Sequence, residues 1–68
     1  MHHIRHERIL AGQRFRTVEG REWEFTEFIL THFDKHPHVA LVKPQDRLTR
    51  KVISVDALFD KRLFSEIH

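Results

Sequence analysis

The chain contains no cysteine and no tyrosine, and it has only two glycines and two prolines among its 68 residues. Without cysteine there is no disulfide, no thiolate nucleophile and no thiolate metal ligand, which fits a reducing cellular compartment. The N-terminal residues carry charges where a secretory signal needs an apolar run. Since no apolar run approaches the length of a membrane span, we expect a cytoplasmic protein that does not enter a membrane.

Motifs for catalysis are also scarce. Gly12 and Gly20 are the only glycines, so no glycine-rich loop can enclose a phosphate group. The serines are Ser54, which stands where the N-cap of a short helical turn is expected, and Ser65. No histidine has a recognisable partner set for nucleophilic catalysis. The sequence therefore predicts a protein that is not an enzyme and needs no cofactor.

Residues 13–30 form the stretch around which the rest of the chain is organised. In its first part Phe15 and Thr17 alternate with Arg14 and Arg16, which is the period of two of a strand with one buried face. Gly20 can adopt a positive φ without steric cost, as a tight turn between two strands requires. We therefore predict a β-hairpin that reverses its direction at Gly20.

The second arm of this hairpin admits two interpretations. Aromatic and β-branched residues, interleaved with glutamates, favour a strand that places Phe25 and Ile29 on one face and Phe28 and Leu30 on the other. Spacings of three and four also fit a helix at about 22–34, which would make the fold α+β. We prefer the strand, because the glycine turn comes directly before it and strand-forming residues dominate.

The remaining chain continues in short extended segments. Residues 38–43 and 48–55 are predicted strands joined by a turn that contains Pro44, and Ser54 is expected to cap a helical turn over residues 55–60. A closing apolar segment follows, as a last strand or as a continuing helix. We interpret residues 1–8 as a flexible arm and residues 9–68 as one small domain, whose limited core permits a dimer.

The segments GQRF, EGREW, HVALVK, LTRKVISV and VDALFD occur in an order and spacing that resembles the small SH3-like β-barrels of short bacterial and phage proteins. The resemblance covers residues 11 to 64 and consists of strand lengths and a helical turn. It implies a mainly β fold: a small SH3-like barrel of four to five antiparallel strands with a short helical turn near the C-terminus. It also implies a binding role, since such barrels mostly bind nucleic acid, ribosomal or polymerase components, or peptides.

The net charge of +2 conceals a regular alternation of sign along the chain. Residues 1–21 and 35–52 are basic, whereas residues 22–34 are acidic, so neighbouring strands could pair opposite charges. A basic surface for nucleic acid is the alternative, and Trp23 could stack on a base there if it were not part of the core. The candidate residues for nucleic-acid binding are Arg14, Arg16, Arg50 and Lys51.

Apolar residues on both faces of the second arm favour a different function, the binding of a protein partner or self-association. A single small barrel covers one sheet face well, and an apolar surplus on the other face needs a second chain or the C-terminal segment. The candidate residues for this interaction are Phe28, Leu30, Phe33, Phe59 and Phe64. We rank this hypothesis above nucleic-acid binding, because the alternating charges leave little unpaired positive surface.

Histidine is unusually frequent, with seven copies. Four potential ligands fall within a predicted loop, and imidazole with carboxylate suits zinc or nickel. These residues are His32, Asp34, His36 and His38. Because their spacing matches no standard structural metal site, we prefer a solvated polar loop and keep the metal site as a third hypothesis.

Overall fold

The computed structural model of the protein describes residues 9–30 and 36–67. The described elements are, in chain order, β1 (Arg14–Thr17), β2 (Glu22–Ile29), β3 (His38–Lys43), β4 (Asp46–Ser54), α1 (Val55–Leu58) and β5 (Phe64–Ile67). The predicted N-terminal arm, residues 1–8, lies outside the described residues.

The five strands form one antiparallel sheet in the order β4-β3-β2-β1-β5, and α1 connects β4 to β5. This confirms the prediction of a mainly β domain of antiparallel strands with a short helical turn near the C-terminus. The alternative of a helix at about 22–34 is wrong where the chain is described, because β2 is extended and pairs with both β1 and β3. The specific resemblance to SH3-like barrels stays a prediction.

The turn between β1 and β2 lies at Gly20, where the backbone can adopt a positive φ without a steric clash. Gly20 has a φ of 90°, and its N–H donates to the carbonyl of Thr17 at 2.9 Å. The Thr17 N–H donates in turn to the Arg21 carbonyl at 2.8 Å. These bonds fix the register in which Phe15 lies opposite Trp23.

One face of the sheet is packed against α1 and the segment before β1, and we call it the core face. Phe15, Val39 and Leu41 are fully buried there, as strand alternation predicts. Phe59 packs against this core from the end of α1, with its ring 6.2 Å from that of Phe15 in an edge-to-face arrangement. The buried core comprises Ile9, Phe15, Trp23, Phe25, Val39, Leu41, Val55, Leu58 and Phe64.

A β-bulge in β2 corrects the predicted arrangement of its apolar residues. The register with β3 shifts between Phe25 and Glu27, so Phe25 lies opposite Leu41 while Phe28 lies opposite Val39. Since Leu41 and Val39 share the core face, Phe25 and Phe28 share it too, and their rings lie 5.0 Å apart. The predicted assignment of Phe28 to the opposite face from Phe25 was wrong, because one extra residue in a strand inverts the alternation beyond it.

The C-terminal part follows the predicted helix start. The hydroxyl of Ser54 accepts a hydrogen bond from the Ala57 N–H at 3.1 Å, and Asp56 lies in the first turn. The helix is shorter than predicted and ends at Leu58. The closing segment forms strand β5, which pairs with β1 at the opposite edge of the sheet from β4.

Candidate binding surfaces

The face of the sheet opposite the core carries rows of paired charges, and we call it the charged face. Both Arg14 and Arg16 approach the carboxylate of Glu22, at 3.6 and 3.4 Å. Arg50 approaches Glu27 at 3.6 Å. The predicted pairing of opposite charges between neighbouring strands is therefore present between β1 and β2, whereas Arg50 of β4 reaches across β3 to Glu27 of β2.

Glu24 is the most enclosed carboxylate of this face, with a side chain that is 15% exposed. It accepts a hydrogen bond from the Arg47 guanidinium at 3.1 Å. That hydrogen bond, helped by the positive charges of Arg47 and Arg14, lowers the pKa of Glu24 against the opposing effect of desolvation. Glu24 thus stays ionised and anchors the start of β4 to the centre of the sheet.

The four residues predicted to bind nucleic acid do not form one surface. Arg14, Arg16 and Arg50 lie on the charged face, and each has a glutamate within ion-pair distance. Lys51 lies opposite Leu41, on the core face. Trp23 is 7% exposed, so its ring is not a platform for stacking a base.

Two lysines converge on Trp23 at one end of the core face. The ammonium group of Lys51 lies 4.3 Å from the centroid of the Trp23 ring, and that of Lys43 lies 5.7 Å away. Lys51 also approaches the ring of Phe64, at 5.6 Å. Sequence reasoning did not select Lys43 as a functional residue, although its alternation with Val39 and Leu41 already placed it on the core side of β3.

The four described residues of the predicted protein-interaction surface are dispersed. Leu30 is 79% exposed and Phe28 is 36% exposed, both at the end of β2, whereas Phe64 is buried and Phe59 is half-buried. Phe33 lies outside the described residues. Of the predicted set, Phe59 and Phe64 are brought together, in the wall of a groove.

This groove runs between the end of α1 and strand β5, and we call it the β5 groove. It has a volume of about 320 Å³. Its lining combines apolar and polar side chains, as binding clefts usually do. The lining residues are Leu58, Phe59, Lys61, Phe64, Ser65 and Glu66.

Next to the groove, the backbone of β5 has one side that pairs with no other strand of the described residues. The N–H of Val18 donates to the carbonyl of Leu63 at 3.2 Å, which sets the phase of hydrogen bonding between β1 and β5. In an antiparallel pair, every second residue directs its N–H and its carbonyl toward the partner strand. Counting from Leu63, these residues are Ser65 and Ile67, which face β1. The carbonyl of Phe64 and both backbone groups of Glu66 therefore point toward the open side of β5.

The histidine-rich segment is only partly described. His32 and Asp34 lie outside the described residues, and the Nδ1 atom of His38 lies 2.9 Å from the carbonyl oxygen of His36. Within residues 9–30 and 36–67, no three potential metal ligands gather at one point. A zinc or nickel site at His32, Asp34, His36 and His38 stays a prediction.

No protein-family model, curated protein or solved structure matches the chain. Function must therefore be inferred from the surfaces themselves. Among the described residues, no helix is both long enough and apolar enough to cross a membrane.

Proposed function

We propose that this protein is a non-enzymatic binding module that takes an extended segment of a partner protein as an additional strand along β5. The observation that carries the proposal is the position of the β5 groove, directly beside the backbone groups that β5 leaves unpaired on its open side. Peptides that add a strand to a sheet edge obtain affinity from main-chain hydrogen bonds and specificity from pockets for alternate side chains.

The chemistry of the groove defines the segment that fits it. The half-buried Phe59 presents apolar surface in the groove, backed by the buried Leu58 and Phe64, so one side chain of the bound strand should be aliphatic or aromatic. Lys61 lines the groove and forms no ion pair within the described part of the chain, whereas the guanidinium of Arg62 lies 2.9 Å from the carboxylate of Asp60. A carboxylate close to the apolar side chain would complement Lys61. We therefore infer an extended peptide that combines an apolar residue with an acidic one.

The short edge of β5 is better suited to this role than the long edge of β4. Strand β4 carries Arg47, Arg50 and Lys51 with one acidic residue, Asp46, and such an excess of positive charge on an edge discourages pairing with another strand. Strand β5 has a single ionisable residue, Glu66, whose carboxylate accepts a hydrogen bond from Gln13 at 3.3 Å.

Nucleic-acid binding is the less supported alternative. The arginines of the charged face lie beside glutamates, and a phosphate group would have to displace those carboxylates before it could bind. The cost of separating these pairs lowers the affinity that the charged face can offer to nucleic acid.

Proline scanning of β5 tests the proposal. The N–H of Glu66 points away from β1, so Glu66→Pro removes a donor from the open edge while the sheet keeps its hydrogen bonds, as edge strands allow. Glu66→Ala is the matched control, because it also loses the carboxylate but keeps the N–H. The probe is a displayed library of random short linear peptides, selected on the wild-type protein.

We expect enrichment of peptides that combine apolar and acidic residues. They should bind Glu66→Pro about tenfold more weakly than Glu66→Ala, which is the effect of losing one main-chain hydrogen bond in an apolar environment. Circular dichroism verifies that both variants fold. Equal binding to both variants, or no enrichment at all, contradicts the proposal. Self-association that Glu66→Pro abolishes would assign the edge to a second copy of the chain instead.

A further inference from the structure

The two lysines above Trp23 differ from the arginines of the charged face, which lie beside Glu22, Glu24 and Glu27. Lys43 and Lys51 come from adjacent strands, β3 and β4, and both ammonium groups lie over the same indole ring. Both distances fall within the range of a cation–π contact, which attracts each cation to the ring. The two like charges nevertheless repel each other, and the ring quadrupole neutralises neither of them.

No carboxylate in the described part of the chain forms an ion pair with either lysine. The nearest acidic residue along the hairpin is Asp46, which lies opposite Lys43 in the register. Its carboxylate accepts a hydrogen bond from the Thr49 hydroxyl at 2.6 Å and one from the Leu48 N–H at 3.3 Å, and it forms no ion pair with Lys43. By contrast, Arg14, Arg16, Arg47, Arg50 and Arg62 each have a carboxylate within ion-pair distance.

The indole itself adds a second unsatisfied group. The Nε1 atom of Trp23 is buried and has no hydrogen-bond partner among the described residues. Buried donors without acceptors are uncommon in folded proteins, and each one calls for a structural or functional reason. Because the Nε1 atom is sealed from solvent, a ligand above the ring does not reach it, and the groups available to an oxyanion are the two lysines that lack a carboxylate partner among the described residues.

We propose that Lys43 and Lys51, positioned over Trp23, bind a phosphate monoester dianion. Two ammonium groups match the charge of −1.5 to −2 that such a group carries near neutral pH. Lysine binds phosphate as a point charge, so it does not need the planar geometry that arginine imposes. This proposal is independent of peptide binding at the β5 groove, since it depends on different residues.

The chain offers a direct spectroscopic readout, because Trp23 is its only tryptophan. Titration with inorganic phosphate, at an ionic strength held constant with sodium chloride, should change the Trp23 fluorescence in a saturable manner. The double variant Lys43→Met, Lys51→Met keeps the aliphatic cover of the ring and should bind phosphate at least about tenfold more weakly. Lys61→Met is the matched control, since it also loses a lysine charge but not one over the ring.

Several results would overturn the assignment. One is a Trp23 fluorescence response to phosphate no larger than the response to chloride. Another is a loss of phosphate affinity in Lys61→Met equal to that in the double variant. If the double variant fails to fold, backbone amide shifts in the wild-type protein replace it, and phosphate must then perturb Lys43, Lys51 and Trp23 rather than the charged face. Phosphoserine, a monoester, and a single-stranded oligonucleotide distinguish the possible sources of the bound phosphate group. If the oligonucleotide, which contains only phosphodiesters, binds more tightly than phosphoserine, the site does not select a phosphate monoester and the proposal is refuted.

Discussion

At the scale of single residues, the adjacent Trp23 and Glu24 place their side chains on opposite faces of the sheet. Trp23 points to the core face, where Lys43 and Lys51 cover its ring. Glu24 points to the charged face, where Arg47 holds it. The alternation of a strand separates them, and it explains how one short segment contributes both to the core and to the ion pairs.

The pair of Glu24 and Arg47 makes stability depend on pH in a defined direction. The folded state lowers the pKa of Glu24, so its contribution is fully present above the unfolded pKa and is lost as pH falls through the folded value. We expect urea unfolding midpoints to decline in acid less steeply for Arg47→Met than for the wild type. Lys61→Met, with the same loss of charge, should follow the wild type. Parallel profiles for Arg47→Met and the wild type would contradict this role of Arg47.

At the scale of elements, the bulge in β2 explains why this segment resembled a helix in the sequence. A helix places residues three apart on one face, and Phe25 and Phe28 have that spacing. In the strand, the extra residue between Phe25 and Glu27 has the same effect, because it inverts the alternation once. The hydroxyl of Thr26, within the bulge, donates to the Ala40 carbonyl at 3.1 Å and helps to fix it.

The β1–β2 turn should be sensitive to a side chain at Gly20, although there is open space around it. No atom lies within 4 Å of a Cβ built at this position, so a substitution meets only backbone strain from the φ of 90°. We expect Gly20→Ala to lower the free energy of unfolding by about 1–3 kcal/mol in urea titrations. Glu19→Ala, at the exposed neighbouring position, should change it little. An unchanged stability in Gly20→Ala would show that the turn adopts another conformation.

At the scale of the whole molecule, net charge is a poor guide to the basic groups that remain available. The charge of +2 is small. On the charged face Arg14 and Arg16 share Glu22 and Arg50 lies beside Glu27, whereas the two lysines over Trp23 have no such partners among the described residues. Any attraction for polyanions should therefore come more from the lysine side of the sheet than from the arginine side.

Two double variants with the same loss of charge test this distribution. On a heparin column, Lys43→Gln, Lys51→Gln should elute at a clearly lower salt concentration than the wild type, because it loses unpaired cations. Arg14→Gln, Arg16→Gln should shift less, since those arginines are already paired with Glu22. If the elution of the arginine variant shifts more than that of the lysine variant, the charged face is the main surface for polyanions and this prediction is wrong.

Local features of the sequence predicted much of this architecture. The hairpin around Gly20, the strands near residues 38–43 and 48–55, and the cap at Ser54 each depend on neighbours in the chain. Turn chemistry, alternation and capping act over a few residues, so one sequence suffices to recognise them.

The candidate surfaces depend on contacts between distant residues, and only the tertiary structure decided them. The bulge set which aromatic residues share a face, the register placed Lys43 and Lys51 over one ring, and the strand order left β5 open beside its groove. A sequence pattern records which face a side chain takes relative to its neighbours in the same strand. It does not record which strand lies alongside, and that neighbour determines whether a charge is paired and whether an edge is open.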